Sequence, residues 1–476
     1  MVAAAGAGVY AVTRPAPESS AATPTPTPTP TSTPALRHFA STELTTPVVT
    51  TWKTGTTAAG LLFVTQQVKG FNGLIMRENG EPVWIEPTEA NVTDLRVQTY
   101  RGEPVITYWT GKSYGGHGDG VGVILDNTYA EIARVAAGNG VEADLHEFQL
   151  TDRGTALILV YETEPADLSG VGGPKDGHIF DCRVQEIDVA SGEVLLDWKA
   201  QEHIPVTETY LGLRQDKGHD GTTVDRAFDP YHFNSVEDDG DRLLVSARHT
   251  HALYALDRTS GDILWRFGGK RSDIAVAEDA VFAWQHDARH HPDGTISLFD
   301  NHLYAPSDGH SRGMVFRLDE DARTATLVQE YAYDEHLGIA MGSAQLLPGG
   351  NVLVGWGTDP AATEFTKAGE PVWEAGLGGI CYRSYRCEWV AHPTTAPAVA
   401  ARAEGDGTRV FASWNGATEV RRWRFLASET GEPQPVGELR RSGFETSLLA
   451  PKAARVSVQA LDRNGEVIGA SRTITV

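Results

Sequence analysis

Apolar runs of about five residues, each entered through a Gly turn, recur along most of the chain. "AGLLFVTQQ" (59–67), "RGEPVITYW" (101–109), "RGTALILVY" (153–161), "DGDRLLVSA" (239–247), "DGTISLFDN" (293–301) and "GGNVLVGWG" (349–357) share this form. A second phrase follows four of them: "NGEPVWIEP" (79–87), "SGEVLLDWKA" (191–200), "SGDILWRFGG" (260–269) and "AGEPVWEAGL" (368–377). Each joins a Gly-acid turn to a short strand ending near a tryptophan or a second apolar residue. Runs this short, β-rich and bounded by Gly or Asp, predict strands.

The turn glycines Gly60, Gly102, Gly154, Gly240, Gly294 and Gly350 mark six units, mostly about 40 to 55 residues apart, with a longer insertion around 199–230. A unit of four strands cannot bury both its faces alone, so the copies must pack on one another. Six units around an axis predict an all-β, six-bladed β-propeller over 36–392. A stacked array of β-sandwiches is the alternative, but it would not need a constant unit length.

After "AHPTTAPAVA" (391–400) the texture changes to short alternating strands. The W-N-G-A-T turn and the closing "VSVQALDRNG" resemble a fibronectin type III or Ig-like β-sandwich, expected over 397–476. Such a module mediates attachment or packing, and here it would cover an end of the propeller.

Measured back from the turn glycines, histidines fall into register. His232 lies eight residues before Gly240, His286 eight before Gly294 and His146 eight before Gly154. The same position holds Asp94 before Gly102 and Gly342 before Gly350. The strand entering such a hairpin is the one next to a propeller's channel, so these three histidines should converge on one channel end. The architectural alternative is that each histidine caps its own blade; Asp94 and Gly342 break the pattern and count against it.

Arg248, His249 and His251 follow the next strand, and Asn301, His302, His310 and Arg312 occupy the counterpart in the following unit. His and Arg on facing loops predict a cationic, hydrogen-bond-rich pocket suited to an oxyanion.

Charge narrows the partners. Lys and Arg number 40 against 63 Asp and Glu, a net charge of −23 over 476 residues, which argues against nucleic acid. An anion site must therefore be local. The start, "MVAAAGAGVYAVTRPAPESS", is too short an apolar stretch to span a membrane and lacks a basic n-region. Thr-Pro repeats follow, from Thr23 to Pro34. Residues 1–35 read as an export or anchor remnant with a linker, hence an extracytoplasmic chain, secreted or tethered to the membrane or cell envelope. A disordered tail on a cytosolic protein is the other reading. Cys381 and Cys387 lie close enough in "CYRSYRC" to bridge a small loop or to stay reduced, and Cys182 is left over. No C-x-x-C pair is present, so no thiolate zinc site is expected.

"YHFNSVEDDGDRLLVSARHTHALYALDRTSGDILWRFGGK", "QHDARHHPDGTISLFDN" and "SRGMVFRLDEDARTATLVQEY" together resemble the arylsulfotransferase family of six-bladed propellers, over roughly 45–390. The resemblance implies an exported enzyme that moves a sulfuryl group from an aryl sulfate to a phenolic acceptor, without a nucleotide sulfate donor, cofactor or metal. It also implies catalytic histidines in the H-x-N-S and Q-H-D segments, here His232 and His286, with His146 as a channel partner. Arg248, His249, Asn234, Asn301, His302 and Arg312 become the substrate-binding candidates. Two departures stand out. The stretch "TDPAATEFTKAGEPVW", which corresponds to where the well-studied branch of the family carries its sulfurylated histidine in the last blade, has none. "FDNHLYAPS" has His302 where that branch has glycine, and no arginine before Arg312.

Three other readings stay open. One is a non-catalytic propeller that binds a ligand or partner protein. Another is a quinone-dependent dehydrogenase, suggested by the Trp-ended repeats, although no adjacent cysteine pair or calcium cluster accompanies them. A histidine cluster can also bind zinc or copper.

Overall fold

A computed structural model describes residues 35–67, 71–86, 90–213, 218–302, 310–333 and 336–476. Apart from Ala35, the N-terminal export and linker segment lies outside the described residues. Six antiparallel four-stranded sheets form the blades of a propeller. The first three run outward from the axis as Asn91–Tyr100, Glu103–Tyr114, His117–Leu125 and Glu131–Val135; then Phe148–Leu150, Thr155–Ala166, Gly177–Asp188 and Val194–Lys199; then Phe233–Asp239, Arg242–Ala247, Ala252–Asp257 and Ile263–Gly268. The fourth holds His286–His290, Thr295–Asp300, Arg312–Asp319 and Thr324–Ala332, with Ala275–Val276 added in parallel at its outer edge. The fifth holds Ser343–Leu346, Val352–Gly355, Ala361–Phe365 and Pro371–Gly376, extended by Thr50–Lys53.

The sixth blade departs from the expected four strands per unit. The Gly60 unit supplies only Leu61–Gln67, Phe71–Met76 and Pro82–Ile85. Its innermost strand is Cys381–Cys387, which pairs antiparallel with Leu61–Gln67 in the register Cys387↔Leu61 and Tyr385↔Phe63. One sheet thus joins an early and a late part of the chain, and the ring closes. This placement also decides between the bridged and the reduced reading of the cysteines. Cys381 and Cys387 lie in one strand as free cysteines. Six residues of extended chain separate them by about 20 Å, far beyond disulfide reach.

Why the strands read as apolar runs is clear from the interfaces. In the third blade Leu243 and Val245 pack towards the second blade, against Leu157 and Val184, while Leu244 packs towards Leu298 and Met314 of the fourth. Likewise Leu62 and Val64 face the fifth blade and Phe63 the first. Middle strands are buried on both faces, so period-2 alternation is replaced by continuous hydrophobicity. The tryptophans that end the repeats serve the same packing. Trp198 Nε1–H donates to Gly261 O at 2.8 Å and Trp373 Nε1–H to Glu78 O at 2.8 Å, each reaching a turn of the next blade.

Residues 398–475 form two further sheets. One holds Ala398–Glu404, Gly407–Ser413 and Glu445–Pro451; the other holds Gln434–Arg440, Arg422–Ser428, Arg455–Leu461 and Val467–Ala470, with Ile474–Thr475. They share one core around Val410, Trp423, Phe425 and Val458. The W-N-G-A-T turn attaches them to the outer edge of the sixth blade. Asn415 accepts from Ile85 N–H and donates to Ile85 O, both at 2.9 Å, as a neighbouring strand would. Gly416, at φ +89°, lies flat against the Tyr129 ring, where a Cβ would approach within 2.3 Å. This contact is with the propeller's side wall, not with an end of its channel.

Candidate functional site

The register histidines stand where the inner strands begin. His232 immediately precedes Phe233–Asp239, His286 opens His286–His290, and His146 lies two residues before Phe148–Leu150. His232 has φ +53°, and register irregularities follow at Phe233/Ser235 and His286/Arg289. Such local departures from the ladder re-aim side chains. His146, His232 and His286 line one cavity of about 410 Å³, with Arg248, Met341 and Tyr382.

Hydrogen bonds distinguish the three. Asp229 accepts from His232 N–H at 3.0 Å and from its Nδ1 at 2.5 Å. Asp144 likewise accepts from His146 N–H at 3.0 Å and contacts His146 Nδ1. A carboxylate on Nδ1 fixes the tautomer and leaves the Nε2 lone pair outward. Neither Nε2 has a hydrogen bond among the described residues. Burial, then the charges of His146, His117 and Arg248, pushes His232 well below its ordinary pKa, so it is neutral. The His146 and His232 rings lie 4.9 Å apart.

His286 differs. Asn301 Nδ2 donates to the carbonyls of Gly338 and Met341, at 2.6 and 2.9 Å, so Oδ1 must be the atom that accepts from His286 Nδ1 at 2.6 Å. Met341 N–H donates to His286 Nε2 at 3.2 Å. Both ring nitrogens are therefore engaged by the protein. Burial, followed by Arg248, keeps His286 neutral too.

Arg248 is the cavity's cation. It lies over Trp284, 4.9 Å from the ring centre, and its Nη1–H donates to His249 Nε2 at 2.8 Å. His249 stands behind His232, its Nδ1–H bonded to Asp229 O at 2.7 Å. Asn234 is buried and donates to Gln285 O at 2.7 Å. Arg312 is held by Asp300 at 3.2 Å and Glu330 at 2.6 Å, and His302 lies 3.4 Å from Asp300. None of His249, Asn234, Asn301, His302 and Arg312 is on the described cavity wall.

Beneath the histidines a buried ionic layer fills the channel. Arg383, from the closing strand, donates to Asp94 at 2.8 Å and to Asn234 O at 2.6 Å. Arg289 donates to Glu147 at 2.8 Å, Asp287 at 2.6 Å and Glu237 at 2.9 Å. Burial alone would raise Glu147, but Arg289, Arg383 and Arg96 outweigh it and hold it at about 2. Tyr382, also from the closing strand, donates to His146 O at 2.9 Å and so ties this layer's strand to the cavity.

Sequence reasoning missed Asp144, Asp229, His117, Tyr382 and Arg383. A signal existed for the first two: an aspartate stands two residues before His146 and three before His232. His336 was also passed over. It reaches the fifth blade, where its nitrogens lie 2.8 Å from Asp359, in the loop before Ala361–Phe365, and 3.0 Å from Glu374 in Pro371–Gly376. Burial lowers its pKa, but these two carboxylates more than compensate and raise it to about 9.

A profile described as Arylsulfotransferase (ASST) matches residues 96–378. The chain belongs to that family. The matched span covers the second to fourth blades whole, the four main strands of the fifth and most of the first, and stops just short of the closing strand. No curated protein matches this arylsulfotransferase-family chain. Solved structures resembling it include a protein of unknown function from Bacteroides caccae, at 13% identity and TM-score 0.41, covering 68% of this chain and 98% of the other. A quinohemoprotein alcohol dehydrogenase from Comamonas testosteroni aligns at 10% identity and TM-score 0.34, over 74% and 69%. A catalytically inactive virginiamycin B lyase from Staphylococcus aureus aligns at 9% and 0.35, over 76% and 95%. These likenesses have no bearing on the chemistry of the cavity.

Proposed function

We propose that this arylsulfotransferase-family chain moves a sulfuryl group from an aryl sulfate to a phenolic acceptor in two steps, with His232 as nucleophile. The supporting observation is the Asp229–His232 pair: a neutral, oriented imidazole whose Nε2 lone pair faces a cavity beside Arg248.

In the first step Nε2 attacks the donor sulfur. The N–S bond forms, the S–O bond to the aryl group breaks, and the aryl oxide leaves to take a proton from water. The positive imidazole ring that results is offset by Asp229. In the second step the acceptor phenol gives its proton to His146 Nε2 and its oxygen attacks sulfur, releasing His232; His146 then returns the proton to water. Arg248 stabilises charge on the sulfuryl oxygens. His286, with both nitrogens engaged, shapes the wall. We place the chain outside the cytoplasm, with residues 1–35 as tether or linker and the C-terminal sheets as a fibronectin type III-like packing module.

Transfer from 4-nitrophenyl sulfate to phenol tests this. Phenol-dependent nitrophenol release should vanish in His232→Ala and fall steeply in His146→Ala, while His286→Gln keeps a measurable rate. A wild-type protein that is folded yet releases nothing over a broad acceptor set would sink the proposal. The second reading, a non-catalytic binding propeller, is favoured by one observation. His336 contacts the fifth-blade stretch that corresponds to where the family's well-studied branch carries its sulfurylated residue, and both its nitrogens are spent on Asp359 and Glu374.

A further inference from the structure

Behind His232 stands a buried histidine for which the transfer reaction has no use. His117 comes from the third strand of the first blade, is only 4% exposed, and packs against Tyr161 and Phe180. Its side chain makes no hydrogen bond among the described residues, and its Nδ1 is buried without a partner. Buried polar groups in native proteins are paired, and an imidazole without a hydrogen bond at either nitrogen calls for an explanation such as a bound ion.

Its other nitrogen, Nε2, faces the Asp229 carboxylate. His117 Nε2 lies 3.5 Å from Asp229 Oδ2, longer than a hydrogen bond. Two ligands of a tetrahedral zinc ion, bonded at about 2.0–2.2 Å, stand about 3.4 Å apart, which is this spacing. His117, Asp229 and His232 each offer a ligand atom, and all three atoms lie within 4.8 Å of one another. His249 Nδ1 is also near Asp229 Oδ2, at 3.7 Å, but is already committed to Asp229 O.

We infer that His117, Asp229 and His232 form a site for a borderline divalent cation of the zinc class, and that occupancy inhibits the enzyme. Two imidazoles and one carboxylate select zinc over magnesium or calcium. His232 would coordinate through Nδ1, the nitrogen now bonded to Asp229. The 2.5 Å contact between them opens as the ion replaces the shared proton. Because a neutral imidazole keeps one proton, coordination at Nδ1 moves that proton to Nε2. The lone pair facing the cavity is then lost, with no net proton released from the ring. The inhibitory half of this inference rests on the sulfuryl-transfer reading; the metal site does not.

The test uses the full chain, stripped with a chelator and titrated with zinc chloride against a chromophoric chelator. One zinc per chain should bind, and His117→Gln should weaken binding about tenfold or more. The same variant should keep phenol-dependent release but escape inhibition by zinc. No stoichiometric zinc binding in the wild type, or equal affinity in a folded His117→Gln, would overturn the site. If His117→Gln does not fold, Asp229→Asn serves as the second binding variant. Zinc binding in a chain without transferase activity would uphold the site and count against the transfer reading alone.

Discussion

Asp229 Oδ2 stands 2.5 Å from His232 Nδ1, while the backbone carbonyl of the same aspartate holds His249. One residue thus orients two histidines, and it sits at the end of the long 199–230 insertion. The insertion therefore reaches the cavity histidines through Asp229.

Replacing Asp229 with Asn keeps the shape but lets the amide favour the wrong tautomer of His232. kcat for phenol-dependent release should fall by about 10²-fold or more, as orienting carboxylates of catalytic histidines do, with KM little changed. A variant whose KM rises at constant kcat would show that Asp229 acts on binding and not on the nucleophile.

His336 makes the protein's stability depend on pH. Its folded pKa is raised to about 9, above an unfolded value near 6.5, so its contribution is complete below pH 6.5 and is lost as pH rises through 9. Allowing for solvent screening, the loss is about 1–2 kcal/mol. Urea unfolding at pH 6 and pH 9.5 should show it in the wild type and not in His336→Ala.

The ionic layer is stable only when complete. Removing Arg383 leaves Asp94 and Glu147 in a buried site with one fewer cation, a change that costs about 3–5 kcal/mol. Arg383→Met should lower the urea midpoint accordingly. A midpoint shift under 1 kcal/mol equivalent would mean that water enters the channel to replace the guanidinium.

Blade architecture was legible because two-sided burial writes continuous apolar phrases, as at 243–245 and 62–64. The convergence of His146, His232 and His286 was legible because a repeat turns equal offsets into equal depths. What the sequence hid depends on contacts between distant segments. "CYRSYRC" left a bridged loop and two reduced thiols both open because its partner strand lies some three hundred residues earlier. Nor could spacing show that His286 is tied at both nitrogens, since that depends on Asn301 and on the Met341 backbone.

Free thiols at both ends of the closing strand carry their own expectation. Treatment with a reductant should leave the melting temperature unchanged, and all three cysteines should react with a thiol reagent once the protein is unfolded. A drop on reduction would require a disulfide that this strand geometry forbids.

The seam at Cys381–Cys387 also sets when the protein can complete its cavity. Until this strand has been synthesised, a growing chain has neither Arg383 for the ionic layer nor Tyr382 beside His146. It also carries an unpaired edge at Leu61–Gln67, open to mispairing with other chains. Translation must therefore run almost to the end of the blades before a cavity exists. Any shortened product ending before the seam would be an aggregation hazard without a complete cavity.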